Sequence, residues 1–384
     1  SGSDPEGRID GKTHPFKMTR RARVRGMEGK VRLGVVGCGL IGRKHLDAAR
    51  DKSWIEIGAV ADLNLAAAEA VSKEYGVPKR FTDAAELFAQ PDINAVVLST
   101  PAAGRAELAV QALRRGKHVL IEKPSATRAA ELERIRDVQG DRVVAFCTSR
   151  FRFLKHAQAA AEYLQSGQLG ELRVIRCRAV KSAGRPPEKE PPAWRYRIDM
   201  NGGGIWFNWG CYDLDYLFGI TGWKLEPVEA LAQTWGTDPD RFPYTGAGAD
   251  GETHGTGLIR CKGGAVVTFE RGEYAAAPAE ESWQIIGSHG ALTLQMTTAR
   301  KNSLIASKFV PGTGTVSTVI WEGDEDWGIL HDGPLLDFTN AILERRSPST
   351  GLEQAYSAQL ALDLMCDSAR TGKIISVSER KGRL

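Results

Sequence analysis

The chain reads as a two-domain α/β protein. A doubly wound parallel sheet comes first, followed by an α+β domain with a large, open, mostly antiparallel sheet. Three observations predict this. Apolar strands alternate with helical segments from Val31 to about Val144, a glycine-rich turn joins the first strand to the first helix, and short strands with Gly-rich turns take over after Arg150. A length of 384 residues also exceeds what one core usually serves. The expected division is residues 1–26 as a leader or appended segment with Met27 a start, 27–149 as a dinucleotide-binding domain, and 150–384 as a substrate-binding and oligomerisation domain.

In the first domain the predicted strands are Leu33–Val36, Ile55–Ala61, Ala95–Leu98, His118–Ile121 and Val143–Phe146, separated by helical segments such as Leu65–Tyr75 and Arg105–Arg115. Such alternation means βαβ units. Right-handed crossovers then give a parallel sheet whose carboxyl edge forms a ligand crevice. Gly37-Cys38-Gly39-Leu40-Ile41-Gly42 closes the first strand and opens a helix. Glycines at this spacing allow a tight turn and close approach of backbone to a pyrophosphate, and the helix N-terminus aims its N–H groups at it, the Rossmann arrangement. Asp62 ends the next strand twenty residues after Gly42, where an acidic side chain hydrogen-bonds the adenosine ribose. NAD is therefore favoured over NADP. The next residue is Leu63, so only Arg43, Lys79 and Arg80 remain to reach a 2′-phosphate. Pro101 and Lys123 fall on the same sheet edge, the latter in Glu122-Lys123-Pro124.

The second domain predicts an antiparallel meander of Leu172–Val180, Val228–Trp235, Gly257–Cys261, Ala265–Arg271, Trp283–Ile286, Ala291–Met296, Leu304–Val310 and Val316–Trp321. Helices over Leu335–Arg345 and Gln354–Arg370 close the chain, the second ended by Gly372. One helix interrupts the strands. It follows Gly202-Gly203-Gly204 and carries Asn208, Tyr212 and Asp215 at spacings of four and three, which share a face. The glycines let backbone pass close to another body, the cofactor or the first domain. A plainer reading has Asn208 capping the helix, Tyr212 in the core with its hydroxyl bonded locally, and Asp215 solvated.

Composition excludes several classes. Hydrophobic residues make up 42% and charged residues 26%, with no apolar run near the roughly 20 residues that span a bilayer. The net charge of +4 resides in residues 1–26, with seven Lys/Arg and three Asp/Glu, and the rest balances at 44 of each sign. No nucleic-acid surface is expected from such a balance. The six cysteines lack C-x-x-C spacing or histidine pairing, so they read as buried thiols, no metal is expected, and the cytoplasm is the expected compartment.

Together Gly34–Gly42, Ser99-Thr100-Pro101, Gly116–Pro124, and Gly202-Gly203-Gly204 followed by Gly210–Asp215 resemble the glucose-fructose oxidoreductase/inositol dehydrogenase (Gfo/Idh/MocA) family, over nearly the whole chain from Met27. The resemblance implies that the lysine of Glu-Lys-Pro, Lys123, is catalytic. It also implies that a second-domain helix supplies aspartate and histidine four apart, where this chain has Asn208 and Tyr212. Some members acting on sugars carry tyrosine there for proton transfer. Glu122 is implied near the nicotinamide ribose, and Pro124 in the cis form that turns Lys123 inward. The implied cofactor set is Gly37, Gly39, Leu40, Ile41, Gly42, Asp62, Thr100, Pro101, Glu122 and Lys123.

For Tyr212 to act as a base, its ordinary pKa of about 10 must fall by roughly 2–3 units. A neighbouring lysine ammonium and the nicotinamide cation both favour phenolate, and asparagine in place of aspartate removes an opposing charge. The expected activity is hydride transfer between NAD and a hydroxyl or keto carbon of a sugar, glycoside or cyclitol. Lys123 and Tyr212 would handle the proton, and Asn208 would hold a substrate hydroxyl. Arg150, Arg195, Trp206 and His331 join Asn208 and Tyr212 as expected substrate contacts, because aromatic faces suit pyranose C–H groups and arginines suit oxygens. Two alternatives stay open by resemblance: a glycosidase using transient oxidation at C3 and elimination, or a non-catalytic NAD- and sugar-sensing regulator. The open sheet predicts a homodimer or homotetramer.

Overall fold

Strand β1 (Val31–Val36) lies inside a six-stranded sheet in a computed structural model that describes residues 29–297 and 301–381. Residues 1–26 and Met27 lie outside the described residues. With β2 (Ile55–Ala61), β3 (Lys79–Phe81), β4 (Ala95–Leu98), β5 (His118–Ile121) and β6 (Val144–Phe146), it forms a wholly parallel sheet of order β3-β2-β1-β4-β5-β6. Strand β3 escaped the sequence reading because it has three residues and no apolar run. Apart from the edge strand β3, the strands are largely buried on both faces, as parallel strands covered by helices require. Helices α1 (Leu40–Arg50), α2 (Leu65–Tyr75), α3 (Ala84–Phe88), α4 (Arg105–Arg114) and α5 (Ala129–Gln139) supply the cover. Strand order reverses between β1 and β4, so the carboxyl ends there part to leave the binding crevice.

After β6 the chain makes a 3₁₀ segment, Cys147–Phe153, then α6 (Lys155–Gln165). Arg150 and Arg152 sit on that segment rather than at a strand end. The second sheet has nine strands: β7 (Leu172–Ser182), β8 (Pro227–Gly236), β9 (Glu252–Cys261), β10 (Val266–Ala275), β11 (Glu280–Gly287), β12 (Gly290–Leu294), β13 (Asn302–Val310), β14 (Gly314–Gly323) and β15 (Ile375–Ser376). Their order is β14-β13-β12-β11-β7-β10-β9-β8-β15. The expected meander is corrected at its centre, where β7 and β10 pair in parallel. Strand β7, reached from the first domain through α6, lies at the middle of the sheet between β11 and β10.

Short helices α7 (Ile198–Asn201) and α9 (Phe242–Thr245) punctuate the connections, and α8 (Cys211–Ile220) packs on the inner sheet face. Its core partners include Cys177, Ala179, Phe269 and Trp283 from the strands. The last helices return toward the first domain. Leu335 and Phe338 of α10 (Ile329–Glu344) join one first-domain cluster, and Leu352 and Ala355 of α11 (Leu352–Thr371) join the other. Leu362 and Met365 of α11 belong to the second-domain core, so one helix serves two cores.

Asp215 ties these parts together instead of facing solvent. It is fully buried, accepting from Arg152 Nε at 2.7 Å, Thr148 Oγ1 at 2.7 Å and Thr350 Oγ1 at 2.8 Å. The glycine triplet is explained by neighbours in both domains. A Cβ on Gly204 would lie 2.0 Å from the Glu252 carbonyl oxygen, and one on Gly202 would meet Phe207 and the Thr127 backbone. Glu252 then accepts from the Gly204 and Trp206 N–H groups at 2.8 and 3.0 Å, placing a carboxylate at the start of the helix.

Candidate active site

The turn after β1 fits a dinucleotide. Gly37 adopts φ +98°, and a Cβ on Gly42 would lie 1.9 Å from the Gly37 carbonyl oxygen. A Cβ on Gly39 would meet nothing within 4 Å, and α1 begins there with no side-chain cap. The first N–H groups of α1 are thus left for an anion. Leu40 and Ile41 open that helix, Leu40 being 67% exposed. Asp62 holds the rim: its carboxylate accepts from Cys38 N and Asn64 N, each at 2.8 Å. The three basic residues expected within reach of a 2′-phosphate are paired elsewhere, Arg43 with Glu74, Lys79 with Asp92 at 2.6 Å and Arg80 with Glu69 at 3.7 Å.

Thr100 and Pro101 follow β4 beside this turn, and Glu122 and Lys123 follow β5. The Lys123–Pro124 bond is cis. Arg105, at the start of α4, joins the two edges. Its Nη2 donates to Thr100 O at 2.7 Å, and its Nη1 donates to Pro124 O at 2.7 Å and also to Glu122 O. Burial lowers this guanidinium to about 10, and it spends its donors on carbonyls that fix the lysine loop. Sequence reasoning missed Arg105. Its basic character within an otherwise apolar helix face was the available signal.

Lys123 reaches the second domain. Its Nζ donates to Asn208 Oδ1 at 2.6 Å and to Asn208 O at 3.1 Å, and lies 5.7 Å from the Tyr212 ring centroid. Asn208 sits on a π turn, Trp206–Gly210, that precedes α8. Such turns are often found at functional sites. Burial, with a smaller push from Arg150, lowers the Lys123 ammonium to about 8. The expected downward shift of Tyr212 is corrected. Burial raises its phenol well above the ordinary value, and the opposing Arg150 charge does not overcome this.

Glu122 is the hub beneath. Its Oε1 meets His45 Nε2 at 3.0 Å and Arg150 Nη2 at 2.8 Å, and its Oε2 accepts from Lys123 N at 2.9 Å. The cost of burial is overcome by Arg150 and His45, which hold this carboxyl well below its ordinary range. His45, Glu122 and Cys147 bring three potential ligand atoms within 4.8 Å. The Arg150 guanidinium already occupies the carboxylate, and burial keeps the Cys147 thiol protonated.

Among the expected substrate contacts, Trp206 is corrected. It is fully buried in the second-domain core against Phe269 and Gly255. The π turn instead presents half-buried Trp209, whose ring centroid lies 5.7 Å from that of Tyr212, with Lys181 Nζ at 4.6 Å. Arg150 is placed in the ion pair with Glu122 and is 7% exposed. Arg195 is exposed, carries its guanidinium 5.7 Å from the Trp194 ring, and is close enough to Lys123 to lower it. His331, half-buried in the first turn of α10, is lowered by burial and then by Arg150.

A Gly-rich β–α turn with an acidic strand end, and a lysine from the same sheet edge meeting a second-domain helix, define a two-domain protein with a Rossmann dinucleotide-binding half. Residues 31–145 match the family described as an oxidoreductase family with an NAD-binding Rossmann fold, and residues 157–293 match the GFO/IDH/MocA C-terminal domain. The chain belongs to the Gfo/Idh/MocA family. It is 30% identical over 268 residues to a dTDP-3,4-didehydro-2,6-dideoxy-alpha-D-glucose 3-reductase of Streptomyces violaceoruber, 69% of this chain and 72% of that one. It is 33% identical to an inositol 2-dehydrogenase of Rhizobium meliloti over 53% of this chain. That match spans 58% of the relative's length, and the match to an uncharacterized oxidoreductase of Synechocystis spans 53%. A levoglucosan dehydrogenase in complex with NADH shares the fold, with TM-score 0.75 and 22% identity over 91% of this chain and 99% of that chain.

Proposed function

We propose that this protein moves hydride between NAD and a hydroxyl or keto carbon of a sugar, glycoside or cyclitol, with Lys123 and Tyr212 handling the proton. The observation that carries the reading is the meeting of Lys123, from the first domain, with Asn208 and Tyr212, from the second, at one point between the two. Gly37, Gly39, Gly42 and Asp62 would hold NAD, with Thr100, Pro101 and Glu122 along its nicotinamide half. Bound NAD supplies the hydride acceptor in oxidation and the donor in reduction.

In oxidation the neutral Tyr212 phenol takes the substrate hydroxyl's proton as its own passes to the neutral Lys123 amine, while the carbon's hydrogen departs with its electron pair, leaving a carbonyl. Lys123, set near neutrality, takes the proton on and passes it to water. Asn208 fixes the ammonium and accepts or donates to a neighbouring substrate hydroxyl. Reduction runs the same path backwards. The names of relatives acting on inositols and deoxysugars support this substrate class. The outer sheet face exposes Leu231, Trp235 and Leu258, which supports assembly of two or four copies through it.

The test is a panel of polyols, sugars and glycosides followed by absorbance of reduced nicotinamide, for the wild type and Lys123→Met. Turnover in the wild type and its loss in the variant is expected. Unchanged turnover in Lys123→Met ends this assignment. Glycoside cleavage without net reduced cofactor replaces the dehydrogenase reading by the eliminative glycosidase.

A further inference from the structure

Resting on the reading of Tyr212 as a proton carrier, we propose that Arg150 is its positioning residue. A guanidinium pinned on Glu122 fixes the phenol ring and sets a positive charge beside it that opposes the effect of burial on its ionisation. The geometry is specific. Arg150 Nη2 donates to Glu122 Oε1 at 2.8 Å and Nε to Cys147 O at 3.3 Å, which leaves the cation 5.2 Å from the Tyr212 ring centroid. That is within the range of a cation–π contact, and both partners are almost fully buried.

Phe151 and Trp209 hold the other sides of the ring edge-on, at centroid separations of 5.1 and 5.7 Å. The Tyr212 hydroxyl has no hydrogen-bond partner among the described residues, so ring packing and charge decide where it points. The charged and titratable groups around it are Arg150 and Cys147 from the 3₁₀ segment, Glu122 and Lys123 from the loop after β5, and Cys211 of α8. Both thiols are pushed up by burial and remain neutral, so Arg150, Lys123 and Glu122 carry the local field. Glu122 has a second role here. It anchors Arg150 while partly cancelling its charge, and His45 shares the same carboxylate oxygen.

The experiment places 3,5-difluorotyrosine at position 212, a more acidic phenol, and follows its ionisation by fluorine NMR in the full-length protein with and without NAD. Arg150→Met is expected to raise the midpoint by at least about one pH unit, and Arg150→Lys by less. Glu122→Gln is expected to lower it. A midpoint in Arg150→Met equal to or below that of the unsubstituted protein overturns the proposal, as does a phenol that stays protonated until the unsubstituted protein unfolds. If Arg150→Met does not fold, equal midpoints in Arg150→Lys and Glu122→Gln overturn it. The titration needs no substrate. Shifted midpoints in a protein that turns over nothing on the panel would leave Arg150 in this role and defeat the dehydrogenase reading alone.

Discussion

Lys123 and Asn208 close the gap between the two domains, with Nζ of the lysine donating to both the side-chain and backbone oxygens of the asparagine at 2.6 and 3.1 Å. These acceptors are neutral, and no carboxylate lies within ion-pair distance of Lys123 among the described residues. Burial therefore decides its protonation.

The Lys123 ammonium is lowered to about 8 in the folded chain from 10.5. Hydroxyl oxidation needs the neutral amine, so kcat should rise about tenfold per pH unit up to pH 8 and level above it. Stability has a definite sign as well. The unfolded chain binds this proton more tightly, so the group opposes folding below pH 8 and stability rises with pH between 8 and 10.5. Lys123→Met should therefore melt no lower than the wild type at neutral pH while turning over about 10²–10⁴-fold more slowly.

Asn208→Asp would put a carboxylate where the amide oxygen now sits. It should raise the Lys123 pKa by about 1–3 units and displace the rising limb of the pH–rate profile upward by the same amount. A limb that stays in place would show that Lys123 does not control it.

Asp62 joins the glycine turn to the second strand through two backbone N–H groups. Asp62→Ala should raise KM for NAD about tenfold or more and leave kcat nearly unchanged, since it lies far from the lysine. Adding Glu74→Gln frees Arg43 from its partner and should move the ratio of kcat/KM values toward NADP.

Asp215 is buried with three partners, two buried threonines and a half-buried guanidinium that is left without its carboxylate when Asp215 is removed. Asp215→Ala should cost about 3–5 kcal/mol in urea unfolding. A loss below about 1 kcal/mol would mean that water replaces the carboxylate at Arg152.

Trp235 is 52% exposed and Leu258 45% exposed on the outer sheet face. Trp235→Glu combined with Leu258→Glu should lower the sedimentation coefficient to that of a single chain. An unchanged, larger species would place the interface elsewhere.

Much of the cofactor half was readable because it is local chemistry. The positive φ at Gly37 and the crowding at Gly42 are backbone requirements that glycine alone meets, and they leave a mark at fixed spacing. The strands β2, β4 and β5 were likewise visible to the residue, since burial on both faces demands a mostly apolar run. Tertiary structure decided the rest. The π turn exchanges Trp206 for Trp209 at the cleft. Arg150 finds Glu122 from 28 positions away, and α11 divides its length between two cores. These outcomes depend on which surfaces meet after folding. Burial sets the sign for Tyr212, and only long-range contacts determine that burial.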